Sequence, residues 1–163
     1  MASRGVHFAI TSEQVAAFLT ADGDEAVIAL LAEIEEAWDE DNLAESDKAW
    51  DAMHRCLTNG TLEYGGGEYP LSHCVLGPRQ LLEGDGNIIC LVQTDEVPDV
   101  AKALRAISAA DFRQRYAELL PKNYAPEYGP EDQEYTWQHL QKVRDLFEKA
   151  AARRRAVVFT VEP

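Results

Sequence analysis

The polar and apolar positions alternate between two rhythms along the chain. Val6-His7-Phe8-Ala9-Ile10, introduced by Gly5, is a short apolar run that reads as a first strand. Thr11 and Gln14 then have capping-box spacing, and Val15, Phe18 and Leu19 share one face of the helix that follows. Asp22-Gly23-Asp24 breaks it, and an aspartate there caps a second helix. Val27, Leu30, Leu31, Ile34, Ala37 and Trp38 fall at helical spacing along that helix, with acidic residues between them. The pattern predicts a third helix from about Ser46 to Leu57, with Trp50, Met53, His54 and Leu57 on one side.

The middle of the chain lacks either period. Asn59-Gly60, Gly65-Gly66-Gly67, Pro70, Gly77 and Pro78 punctuate it, so loops and short extended pieces are expected. Asp85-Gly86-Asn87 reads as a turn into Ile88–Val92, a continuous apolar run of the kind a doubly buried strand shows. Helices resume near Asp95, with Val97, Val100, Ala101, Leu104 and Ile107 on one face and Pro98 in the first turn. Ser108 caps another helix carrying Phe112, Tyr116, Leu119 and Leu120, which Pro121 ends. A loop from Asn123 to Pro130 precedes a long last helix, faced by Trp137, Leu140, Val143, Phe147 and Ala150. Ala156–Val161 returns to strand. The sum is a single helix-rich α+β domain over residues 1–163, with a small mixed β-sheet packed by helices.

Charge narrows the function. The 163 residues carry 29 acidic and 15 basic side chains, a net charge of −14. Phosphate contacts need a cationic face, so a general nucleic-acid binder is excluded, and so is electrostatic docking on an anionic membrane. The acid is uneven: 13 acidic and 3 basic residues precede Thr61, against 16 and 12 after it. Such a field keeps a protein soluble and steers cationic partners. Val6–Ile10 is too short for a signal-peptide core, and no stretch approaches the roughly 20 apolar residues that span a bilayer. Cys56, Cys74 and Cys90 are odd in number and widely spaced, which suits buried reduced thiols in a cytoplasmic protein.

Gly5-Val6-His7-Phe8, Asp47-Lys48-Ala49-Trp50-Asp51-Ala52-Met53-His54 and Pro70-Leu71-Ser72-His73-Cys74-Val75-Leu76-Gly77, together with the strand before a helical second half, resemble the YfbM-like family of small bacterial proteins. The resemblance covers nearly the whole chain. It implies an α+β fold and supplies neither a catalytic residue nor a ligand.

Two segments carry candidate chemistry. Asp47, Trp50, Asp51 and His54 are spaced three and four apart, so on one helix they meet on neighbouring stripes. A carboxylate beside His54 would tune it as an acid or base, and Trp50 would wall the site. His73 is the second candidate, in Tyr69-Pro70-Leu71-Ser72-His73, with Tyr69 and Ser72 as ligand-binding neighbours and Arg79 placed to hold an anion at the mouth. Asp47, His54 and His73 are thus the catalytic candidates. Cys74 and Ser72 lack the setting of a nucleophile. No metal-ligand frame and no cofactor motif is present, so neither a metal nor a cofactor is expected. The three glycines at 65–67 lack the Lys-Ser/Thr of a phosphate loop and are expected to form a mobile loop.

Two functional readings follow. One is a non-enzymatic interaction module whose acidic N-terminal surface contacts a basic protein partner, or a small molecule in a pocket near Trp50, His54 and His73. An immunity-like protein that neutralises a cationic effector is one version. The other is a small enzyme with a His/Asp acid–base pocket acting on an uncharged or cationic substrate. It requires both imidazoles to reach one substrate.

Overall fold

The computed structural model describes residues 3–84, 87–121, 124 and 129–162. Strand β1 (Arg4–Ile10) leads into helix α1 (Ser12–Thr20), whose first turn is closed by the Thr11–Gln14 capping box. Helix α2 (Asp24–Ala37) ends on Trp38 in the left-handed conformation. Strand β2 (Leu43–Asp47) and helix α3 (Trp50–Leu57) follow, then the irregular middle. Strand β3 (Ile88–Val92), helix α4 (Val97–Arg105), helix α5 (Ala109–Leu119), helix α6 (Asp132–Ala152) and strand β4 (Ala156–Glu162) complete the order. A Ser108–Asp111 capping box starts α5. The expected turn at Asp85-Gly86 and most of the expected loop from Asn123 to Pro130 lie outside the described residues.

The sheet runs β2-β1-β4-β3. Every pair in it is antiparallel, so the mixed sheet expected from the sequence is corrected, while the α+β class holds. The chain's first and last strands pair at its centre, with His7 opposite Phe159. Both faces are covered. On one, Val6, Phe8, Ile10, Ile89, Leu91 and Val158 pack with Phe18 of α1 and Val27 and Leu31 of α2. On the other, Ala9, Val157, Phe159 and Val161 pack with Met53, Val100, Leu104, Leu140 and Phe147. Burial on both sides explains why β1, β3 and β4 are apolar without alternation.

Strand β2 is the element the sequence pattern misassigns. Its residues were expected to run into a helix from Ser46, but Ser46 and Asp47 belong to the strand and the helix starts at Trp50. The cause is size. The inward positions of β2 are Ala44 and Ser46, too small to mark a strand, and Asp47 turns the chain with φ +45°. The β2 edge is closed by α6, whose His139 Nδ1 donates to the Glu45 carbonyl at 3.0 Å.

The glycine run, expected to form a mobile loop, makes main-chain hydrogen bonds at Gly65 and Gly66. The Gly65 N–H donates to Leu76 O at 2.7 Å. Gly65 and Gly67 have φ of +67° and +85°, and a Cβ on either would press on Pro78 or Thr58. These positions demand glycine for both conformation and space.

His7 is fully buried against Phe159, its ring centroid 4.7 Å away. Its Nε2–H donates to Cys74 O at 2.7 Å, while Nδ1 has no partner among the described residues. Burial pushes its pKa down to about 4, partly opposed by the Cys74 bond. The unfolded chain therefore binds this proton from about pH 6.5 and the folded chain only near pH 4. Stability falls as pH drops through that window, by about 3 kcal/mol in all. Urea unfolding of a His7→Leu variant between these limits should show a shallower loss of stability than the parent chain. Parallel slopes would exclude His7 as a source of the acid sensitivity.

Candidate functional site

The first predicted constellation is divided between elements. Asp47 is not on the helix with His54. Its carboxylate accepts from the Tyr135 hydroxyl at 2.6 Å and lies 3.6 Å from Arg4. Trp50 donates from Nε1 to Ser3 O at 3.0 Å and packs toward Phe159. Asp51 accepts from Arg55 Nε at 2.7 Å, one turn along α3. Asp47 and Trp50 are occupied in joining segments of the fold, and Asp51 in an ion pair within α3.

His54 is fully buried. The Leu76 N–H donates to its Nδ1 at 3.3 Å, so Nδ1 is an acceptor and the proton sits on Nε2. That Nε2–H donates to Glu63 O at 2.9 Å. Burial lowers the pKa of His54 most; the Glu63 carbonyl and Asp51 oppose it, and Arg55 adds to the lowering. A sealed neutral ring with both nitrogens bonded to main chain has no lone pair or proton to offer a substrate. The geometry does not bring Asp47 and His54 together: Asp47 meets Tyr135 and Arg4, and His54 meets only main chain.

The second constellation does converge. The segment Leu71–His73 is a single 3-10 turn that sets the His73 ring beside α4. His73 Nε2 lies 3.2 Å from Glu96 Oε2, and Nδ1 lies 3.0 Å from Ser72 Oγ. With the carboxylate holding the proton on Nε2, the Ser72 hydroxyl donates to Nδ1. Tyr69 meets the His73 ring edge-on, centroids 4.9 Å apart. The Tyr69 hydroxyl donates to Asp99 at 2.6 Å, and that bond, with a smaller part from desolvation and neighbouring carboxylates, pushes its pKa up to about 12. An open groove of 360 Å³ lies here, lined by His73, Pro78, Arg79, Gln80 and Glu96.

Arg79 and Gln80 also line a second groove, of 250 Å³, whose other walls include Phe18, Leu19, Asp24 and Val27. Leu19 is 49% exposed there. The two grooves flank one short edge segment. A wider groove of 670 Å³ between α4 and α5 contains none of the predicted site residues. Glu96, Gln80 and Leu19 escaped the sequence reading as site residues. Glu96 had one signal, its spacing from Gln93, whose N–H its Oε1 accepts at 3.0 Å. Gln80 and Leu19 had none.

The thiols are inert by position. Cys56, Cys74 and Cys90 are buried and free. Burial raises all three, Cys56 and Cys90 to about 12. Among the described residues no group of three His, Cys, Asp or Glu is placed to hold a metal ion, and no helix is long and apolar enough to cross a membrane.

Fold and surface together define an α+β domain with two adjoining grooves at one sheet edge. The chain belongs to the family described as a domain of unknown function, DUF1877, whose model matches residues 1–160. The crystal structure of YfbM from Escherichia coli, a protein of unknown function, is similar in fold, with a TM-score of 0.62 at 17% identity over 97% of this chain and 99% of that one. The family resemblance carried by the sequence motifs is thereby borne out. No curated protein matches the chain.

His54 and His73 should separate in mutagenesis. His54→Ala leaves the Leu76 N–H and Glu63 carbonyl without their partner and opens a cavity, so it should cost about 2–4 kcal/mol in chemical denaturation. His73→Ala, at a rim, should cost under about 1 kcal/mol. Equal costs would contradict this assignment. In the native state the thiols should resist a disulfide reagent at alkaline pH and react only on unfolding.

Proposed function

We propose that this chain is a non-catalytic binding module whose acidic α1–α2 layer contacts a basic protein. One observation carries the reading. From Ser12 to Asp47 there are twelve acidic residues and no lysine, arginine or histidine. Nine of them are exposed: Glu13, Asp22, Glu25, Glu33, Glu36, Asp39, Glu40, Asp41 and Glu45. Exposed apolar side chains stand among them, with Leu19 at 49% and Ile28 at 41%.

Charge of one sign at this density steers a cationic partner and rejects anionic ones. Apolar anchors within it supply the desolvated contacts that charge alone does not. Neutralising a cationic effector, as an immunity-like protein does, is one form of this role. The arrangement of the imidazoles supports it indirectly, since His54 is sealed and His73 is braced by Glu96 and Ser72.

The experiment is affinity capture at about 50 mM and about 500 mM salt, where screening differs severalfold. The wild-type chain should retain a basic protein at low salt and lose it at high salt. A Glu33→Lys/Glu36→Lys variant, changed only at exposed positions, should fail to retain it. No retention, or retention equal for both chains, would refute the proposal.

A further inference from the structure

We infer that Gln80 is the docking edge for an extended segment of the partner, which would add to the sheet as a further antiparallel strand. This deepens the proposed function and rests on it for the charge of the partner.

The main chain around Gln80 carries the inference. Leu81 N–H donates to Ile89 O and Leu91 N–H donates to Arg79 O, both at 2.9 Å. Gln80 and Cys90 are therefore opposed as a non-hydrogen-bonded antiparallel pair. In such a pair the residue's own N–H and C=O face away from the neighbouring strand. Gln80 is exposed, and neither group has a partner among the described residues. One donor and one acceptor thus project from the sheet edge, side by side. That is the pair an incoming antiparallel strand exchanges.

The two grooves lie where the side chains of such a strand would go. Gln80 shares the face of Cys90, which is the α3–α6 side of the sheet, and there the His73–Glu96 groove opens. Leu81 packs on the α1–α2 side, and there the groove with Phe18, Leu19 and Val27 opens. Side chains of an added strand alternate between those faces. The residue opposite Gln80 would enter the polar groove, and its two neighbours the apolar one.

The edge is already held in place. Asp24 accepts the N–H groups of Glu83 and Gly84, each at 2.9 Å, which clamps the chain just beyond Leu81. Little ordering is then left for the binding step. The contrast with β2 is informative, because at that opposite edge His139 already occupies the Glu45 carbonyl.

Charge selects the occupant. The polar groove offers the Glu96 carboxylate, with Asp95 and Asp99 close enough to act on Tyr69. The apolar groove borders the acidic layer. Arg79 lines both grooves; on the polar side Asp95, Glu96 and Asp99 outnumber it, and on the apolar side its stem extends the wall. The fitting ligand is an extended protein segment with a lysine between two aliphatic residues and a net positive charge.

The test uses a blocked peptide of about seven residues alternating valine and lysine. Binding should protect the Gln80 amide from hydrogen exchange. N-methylating the lysine opposite Gln80 removes the peptide donor and should weaken binding about tenfold. Gln80→Pro removes the protein donor and should do the same. Proline is tolerated there because this N–H faces outward at an edge, and the N-methyl peptide leaves the protein untouched in any case. Salt-sensitive binding that neither change weakens by even about twofold would overturn the docking edge and leave the acidic surface standing. Equal binding of a peptide with glutamate for lysine, with Gln80 still protected, would overturn the basic partner and leave the edge standing. No binding at millimolar peptide would overturn both.

Discussion

The irregular middle of this fold depends on a single buried imidazole. His54 accepts the Leu76 N–H on one nitrogen and donates to the Glu63 carbonyl from the other, so it ties both arms of the 63–76 segment to α3. A buried main chain without helix or strand partners must be satisfied some other way. A neutral histidine suits the task because it presents one donor and one acceptor in a rigid plane. His7 adds a second tie through Cys74 O. Protonation would abolish the acceptor on His54, so the charge state of the ring and the path of the chain are one property. Ser72 is buried and His73 reaches the groove beside it because their neighbours are pinned beneath them.

The next residues inherit that order. From Leu76 the chain passes Pro78 and lies along β3 for Arg79 to Leu81 before Asp24 fixes its exit. The edge segment is therefore built from contacts to α3, β3 and α2 together. The two helical layers serve different ends. The α3–α6 side holds the larger core and the histidines. The α1–α2 side covers the other face, and these helices with the turn between them carry five exposed carboxylates, followed by four more from Asp39 to Glu45. One layer supplies the frame and the other the field.

Much of this was legible in the residues. The Thr11–Gln14 capping box and the Ser108 cap were recognisable because each acts within a single turn. The apolar strands β1, β3 and β4 announced themselves by composition. Strand β2 did not, since it is short, lies at an edge, and turns only Ala44 and Ser46 inward. The site fared likewise. The Ser72-His73 segment was visible as polar residues in a loop, but its partner Glu96 is distant in sequence and joined only by tertiary packing. The partners of His54 were not legible, because helical spacing reveals its neighbours on α3 and not the main-chain groups of another segment. No local pattern marks Gln80, because an unpaired edge is a property of what is absent beside it.

Strand β4 has a consequence for how the molecule comes into being. It lies between β1 and β3, and residues 4–10 find their partners at 156–162. Until those residues leave the ribosome, β1 has only β2 beside it and β3 only the short Arg79–Leu81 segment. Closing a loop of that length is entropically slow, and the apolar faces of both halves stay open meanwhile. The nascent chain is thus exposed to misassociation until β4 has been made. The carboxylates that follow β1 from Ser12 onward are made early, and like charge of this density opposes association between nascent chains during that interval.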